Sequence, residues 1–152
     1  MKLRYIEGYD TATIVRWRNA NAEFFPPQEP WTEKSHYNWY IRYLGDTSAF
    51  MYTVCLDDGT PVGTIGVTRE LGNSYEIGNV LLGERELAPP GIMGEALEEV
   101  LRLHEADSWW LKVLRNNTRA IMFYKKHSFI AMETYGEWTY MVRVDDDTPV
   151  QA

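Results

Sequence analysis

The sequence predicts a mixed α/β domain with a sheet of about six to seven strands flanked by about four helices. Three observations predict it. Runs rich in β-forming residues alternate with runs of helical periodicity along the 152-residue chain. The middle holds successive strand-like runs joined by the turn signals Asp57-Asp58-Gly59 and Gly72-Asn73, so that part is antiparallel. After it a strand, a helix and another strand follow in turn, which requires a parallel crossover.

Each element has a local reason. "LRYIE" (3–7) reads as a first strand, and "TATIVRWRNA" (11–20) as a helix with Asp10 or Thr11 at its N-cap. Pro26, Pro27 and Pro30 forbid a regular helix in "NAEFFPPQEPW", whose Phe24, Phe25 and Trp31 are loop aromatics suited to ligand contact. Thr32 can cap the helix "EKSHYNWYIRYL", where His36, Trp39, Tyr40 and Tyr43 recur at helical spacing. "AFMYTVCL" and "PVGTIGVT" form a hairpin, and "SYEIGNVLLG" is the next strand. The helix "GEALEEVLRLHE", the strand "WWLKVL" and the helix "NTRAIMFYKKH" follow. "FIAMETY" and "WTYMVRV" close the domain around Gly136.

Composition bounds the function. A hydrophobic fraction of 45% suits one domain, placed at residues 1–144, with the acidic tail 145–152, "DDDTPVQA", expected to fray. No apolar run is long enough for a membrane span, and the N-terminus lacks a secretory segment, so no membrane partner and a cytoplasmic setting are expected. Cys55 is the single cysteine, which excludes an intramolecular disulfide and a multi-cysteine zinc site; it reads as a packed strand thiol, and no metal is expected. The net charge of -7 argues against nucleic acid and suits an amine-bearing partner. One local exception stands out. From Lys112 to Met132 there is no acid, while Lys112, Arg115, Arg119, Lys125 and Lys126 are basic.

"NNTRAIMFYKKHSF" places Asn117, Ala120, Tyr124, Lys126 and Phe129 in the pattern N-x-x-A-x-x-x-Y-x-K-x-G-F, with Ser128 at the glycine position. In this it resembles the GNAT superfamily of acetyl-CoA-dependent N-acetyltransferases. "WRNA" (17–20), "TEKSHYNWYIRYL" (32–44), "DDGTPVGTIGV" (57–67) and "IGNVLLGE" (77–84) look like the branch that contains ribosomal-protein and amino-sugar acetyltransferases. The resemblance runs to about residue 143. Independently, at about 100° per residue, Asn117, Ala120 and Tyr124 share one helical stripe, so an amide, a small surface and a phenol line one wall.

The resemblance implies acetyl-CoA as cosubstrate and a GNAT-like fold. Family members open the helix after the fourth strand with R/Q-x-x-G-x-G/A, whose backbone donors hold pyrophosphate. Here "ELAPPGIMGEA" (86–96) puts Ala88 at the Arg/Gln position, Pro89 and Pro90 at variable positions, Gly91 at the first glycine and Met93 at the second. Two N–H groups and one side-chain donor are missing, and Met93 adds bulk. Gly91 and the amides of Ile92, Met93, Gly94 and Glu95 are the donors that survive, with the helix dipole behind them.

The implied reaction needs a neutral amine, a seat for the developing oxyanion and a proton for the departing thiolate. The resemblance assigns the proton to Tyr124. Val80, Leu81 and Leu82 would pair with the pantetheine arm, and Asn117, Ala120 and Lys126 complete the cofactor wall. Glu76 is the first choice of base, acting through water, with His36 the second. Arg18, Asn19, His36 and Trp39 match positions near the acceptor site, whereas Trp17 reads as core. The acceptor would be the primary amine of a small molecule, an amino sugar or a protein N-terminus, and the protein a monomer or homodimer. The alternative is a GNAT-fold protein without catalysis, kept as a binding or structural module, for which the altered loop is the motive.

Overall fold

The structure is a computed structural model that describes residues 1–26 and 30–144, so the expected acidic tail lies outside the described residues. Strand β1 (Lys2–Tyr5) leads to helices α1 (Thr11–Ala20) and α2 (Glu33–Leu44). Strands β2 (Ala49–Cys55), β3 (Pro61–Glu70) and β4 (Ser74–Leu82) come next, then helix α3 (Ile92–Leu103) and strand β5 (Ser108–Leu114). Helix α4 (Thr118–Lys126) precedes the closing strands β6 (Phe129–Tyr135) and β7 (Trp138–Arg143). Every expected element is present in the expected order.

Thr32 accepts from the Ser35 N–H at 3.0 Å while the Ser35 hydroxyl accepts from the Thr32 N–H at 2.9 Å, a reciprocal cap that starts α2. Asp10 differs from expectation: it precedes α1, but its side chain does not cap that helix. Its buried carboxylate instead accepts from the Glu7 N–H at 2.8 Å, closing a short 3-10 turn, and takes both Arg4 nitrogens at 2.8 Å. A buried acid needs such a cation, and Arg4 serves as one from the neighbouring strand.

All seven strands join one sheet in the order β1-β2-β3-β4-β5-β7-β6, antiparallel except between β4 and β5. Helix α3 makes that crossover. It buries Ile92, Ala96, Leu97, Val100 and Leu101, a stripe at helical spacing, against the sheet. The main core unites Ile65, Val67, Tyr75 and Ile77 with Leu97 and Val100 of α3, Tyr124 of α4 and Phe129. On the other face, Ile14 and Trp17 of α1 and Tyr40 of α2 pack on Met51 and Leu81. Trp17 is thus core, as expected, and Cys55 is a buried thiol pushed up by burial.

Two irregularities position the site. Strands β4 and β5 pair only at Ser74 with Ser108, Tyr75 with Trp109 and Glu76 with Trp110. Beyond Glu76, β4 stays on β3 as far as Leu82, and β5 stays on β7 as far as Leu114. A wedge therefore opens within the sheet. The second irregularity is a bulge in β4: Gly66 faces Gly78 and Thr64 faces Leu81, so Asn79 and Val80 oppose Ile65 alone. Asn79 absorbs the extra residue at φ 51, a left-handed conformation that asparagine tolerates better than most side chains. The Thr64 hydroxyl donates to its carbonyl at 2.7 Å.

Candidate functional site

The wedge leads into two cavities. The first, ≈ 470 Å³, has Glu76, Gly78, Lys112, Arg18, Trp39 and Tyr43 among its walls. The second, ≈ 440 Å³, is walled by Val80, Leu81 and Leu82 of β4, by Met93, Arg85, Arg119 and Phe123, and by Asn21. Six residues line both: Phe24, Phe25, Val80, Asn117, Ala120 and Tyr124. The two form one slot with a shared waist. A Cβ built on Gly78 would meet nothing within 4 Å, so the wall beside the waist is open.

Local structure explains the waist. The Asn117 side chain accepts from the Ala120 N–H at 3.2 Å and caps α4, so it serves the helix start while lining the slot. Ala120 and Tyr124, one turn apart, follow along the same wall. Tyr124 is 8% exposed, tilted against Phe123 and edge-on to Phe129. Burial pushes its phenol well above the usual value. Tyr124 therefore keeps its proton near neutral pH, and burial also makes it a weaker acid.

Glu76 stands on β4, in the wall of the first cavity. Burial, with the charge of Glu70 behind it, pushes its carboxyl up, and Lys112 partly opposes this. Lys112 itself sits 4.9 Å from the Trp138 ring centroid. A carboxylate of raised basicity accepts a proton more readily through a bridging water.

The loop before α3 reads differently from its sequence. Gly91 takes φ 84, a left-handed turn that favours glycine, and starts the helix. The Ile92 N–H donates to the Pro89 carbonyl at 3.3 Å and the Glu95 N–H to the Gly91 carbonyl at 3.0 Å, so two of the expected donors are tied within the helix start. Ile92 is 3% exposed and packs on Val54, Val62 and Ala96, away from the slot. Gly91, Gly94 and Glu95 line a separate, acidic groove with Glu98, Glu99, Arg102 and His127. Of the loop residues, Met93 is the one that reaches the slot. Lys126 is exposed and lines neither cavity. Arg85 and Arg119 bring positive charge to the second cavity.

Helices α1 and α2 contribute Arg18 and Trp39 to the first cavity. Asn19 is exposed; its side chain donates to the Trp31 carbonyl and accepts from the Trp31 N–H, both at 2.8 Å, so it ties the loop to α1. His36 is 3% exposed and lies behind the slot, in a smaller cavity of ≈ 180 Å³ that Arg18 and Trp39 also line. Its Nδ1 is 3.4 Å from the Thr11 hydroxyl, and Trp31 and Trp39 flank the ring. Burial, then the charge of Arg18, depresses His36 to about 4, so it is neutral near pH 7.

A family model for the acetyltransferase (GNAT) domain matches residues 1–130, most of the chain. The chain belongs to the GNAT family. No curated protein matches it significantly by sequence. Among solved structures, this GNAT domain is similar to AAC(6′)-Ib in complex with ribostamycin and coenzyme A, with a TM-score of 0.79 and 24% identity over 93% of this chain and 92% of that one. It is also similar to the PaiA N-acetyltransferase of Thermoplasma acidophilum in complex with coenzyme A, with a TM-score of 0.74 and 20% identity over 93% and 97% of the two chains. The ribosomal-protein-alanine N-acetyltransferase of Brucella melitensis gives 0.74 at 13% identity over 95% and 99%. At these identities the likeness is one of fold.

Sequence reasoning missed three parts of this GNAT site. Arg85 has no local pattern to mark it, and only the path of the chain after β4 brings it to Arg119. Lys112 was visible as a basic residue but not as a neighbour of Glu76, which depends on the pairing of β4 with β5. The bulge at Asn79 follows from strand register, which no single segment specifies.

Proposed function

We propose that the protein transfers an acetyl group from acetyl-CoA to the primary amine of a small molecule, an amino sugar or a protein N-terminus. The observation that carries this reading is Tyr124, its proton locked on by burial, at the waist between two cavities beside the open edge of β4. Acetyl-CoA would supply an activated acyl group on a thiol leaving group. Val80 to Leu82 and the wall of Asn117 and Ala120 would hold its arm. Arg85 and Arg119 would meet its phosphates in place of the donors that Ala88, Pro89 and Pro90 lack. This fits the cavity chemistry: apolar at the waist, cationic at the outer end. Glu76 would draw the amine proton through water, and Tyr124 would protonate the departing sulfur. Structural neighbours that carry coenzyme A in their complexes support the same cosubstrate.

Titration calorimetry with acetyl-CoA tests the reading. Saturable binding weakened by Arg119→Ala is expected; absence of heat at millimolar acetyl-CoA would end it. The second reading, a binding module without catalysis, is favoured by the tied amides of Ile92 and Glu95. It predicts the same missing heat.

A further inference from the structure

Among the described residues, Arg18 is a cation without an acid. Its guanidinium lies 4.5 Å from the Phe25 ring centroid and 5.1 Å from that of Trp31. Nη1 donates to the Asn79 side-chain oxygen at 2.7 Å, and Nε is buried with no partner. Among the described residues no carboxylate forms an ion pair with it, although the chain carries 22 acids and a net charge of -7. The contrast with Arg4 is informative, because that guanidinium has Asp10 on both nitrogens.

A half-buried cation held by ring faces and one neutral amide is left short of the charged acceptor it prefers. A guanidinium pairs best with a charged, planar acceptor such as a carboxylate. Arg18 lines the first cavity, and Glu76 and Tyr124 line it too. One cavity thus offers two cations, Arg18 and Lys112, and two acids, Asp46 and Glu76.

We propose that the acceptor is an amine that also carries a carboxylate, an amino acid, with the carboxylate on Arg18 and the amine toward Glu76 and Tyr124. This rests on the acetyltransferase reading and narrows its substrate class. A purely cationic amine such as spermidine or ribostamycin could meet Glu76 and Asp46 but would leave Arg18 without an acid.

The test measures release of coenzyme A from acetyl-CoA with the free amino acids, with their carboxamides, and with spermidine and ribostamycin. The expected result is that at least one free amino acid is turned over, with kcat/KM roughly 10- to 150-fold above its carboxamide, the worth of a charge-assisted hydrogen bond. Arg18→Met, shown folded by its melting curve, should collapse that ratio through KM, and Arg18→Lys should restore part of it. Carboxamides or purely cationic amines used as well as free amino acids, no free amino acid used, or a ratio untouched in Arg18→Met would each overturn the proposal. If wild-type protein binds acetyl-CoA in the calorimeter while these outcomes hold, the carboxylate inference alone fails. If it does not bind acetyl-CoA, the acetyltransferase reading fails first and this one with it.

Discussion

At the residue scale, Tyr124 and His36 show burial acting on opposite kinds of group. For Tyr124, burial stabilises the protonated phenol, and removal of that proton source by Tyr124→Phe should lower turnover by roughly 10²–10⁴-fold. Acetyl-CoA affinity should stay level in the calorimeter, since the ring remains; unchanged turnover would remove Tyr124 from the chemistry. For His36, burial favours the neutral ring, with a pKa of about 4 in the fold against 6.5 for a free histidine. Between those values the unfolded chain binds more protons than the native one, so the stabilising contribution is full above pH 6.5 and is lost as pH falls toward 4. Urea midpoints across that window should fall with pH, and His36→Asn should flatten the fall. The residues were legible in the sequence to different degrees. Tyr124, Asn117 and Ala120 stand in one helical stripe and could be read together, whereas the missing partner of Arg18 is a property of the whole neighbourhood.

Elements were legible where their signals are local. Thr32 announces α2, and the predicted segment "EKSHYNWYIRYL" is the observed helix, because a cap is settled within four residues. Thr32→Ala should therefore cost about 1 kcal/mol, read from chemical denaturation at constant m-value. Asp10 shows the limit. The rule that marks it as a helix cap is sound, but Arg4 and the Glu7 amide compete for the same carboxylate and win. The loop before α3 shows the limit again: its residues were read as phosphate donors from their order, yet Ile92 turns into the core and only Met93 faces the slot. A pattern of residues fixes neither the rotation of a helix about its axis nor the groove its first turn faces.

For the whole molecule, the order of the strands shapes the candidate site. The run β2-β3-β4, the crossover to β5 and the closing pair could be traced from the sequence, but the place of β1 beside β2 and the insertion of β7 between β5 and β6 depend on long-range pairing. That insertion keeps β5 occupied on its far side, so when β5 leaves β4 after Glu76 it is held away rather than left loose. The wedge is thus built into the sheet. It also governs the kinetics to be expected of an acetyltransferase on this frame. Donor and acceptor would occupy separate chambers and meet at a waist with no thiol, the lone Cys55 being buried in β2. Both can then be resident together, and the acyl group has no cysteine on which to wait. Initial-rate plots at several fixed acceptor concentrations should intersect rather than run parallel, and a desulfo analogue of coenzyme A should compete with the donor alone; parallel lines would mean that one substrate must leave before the other can enter.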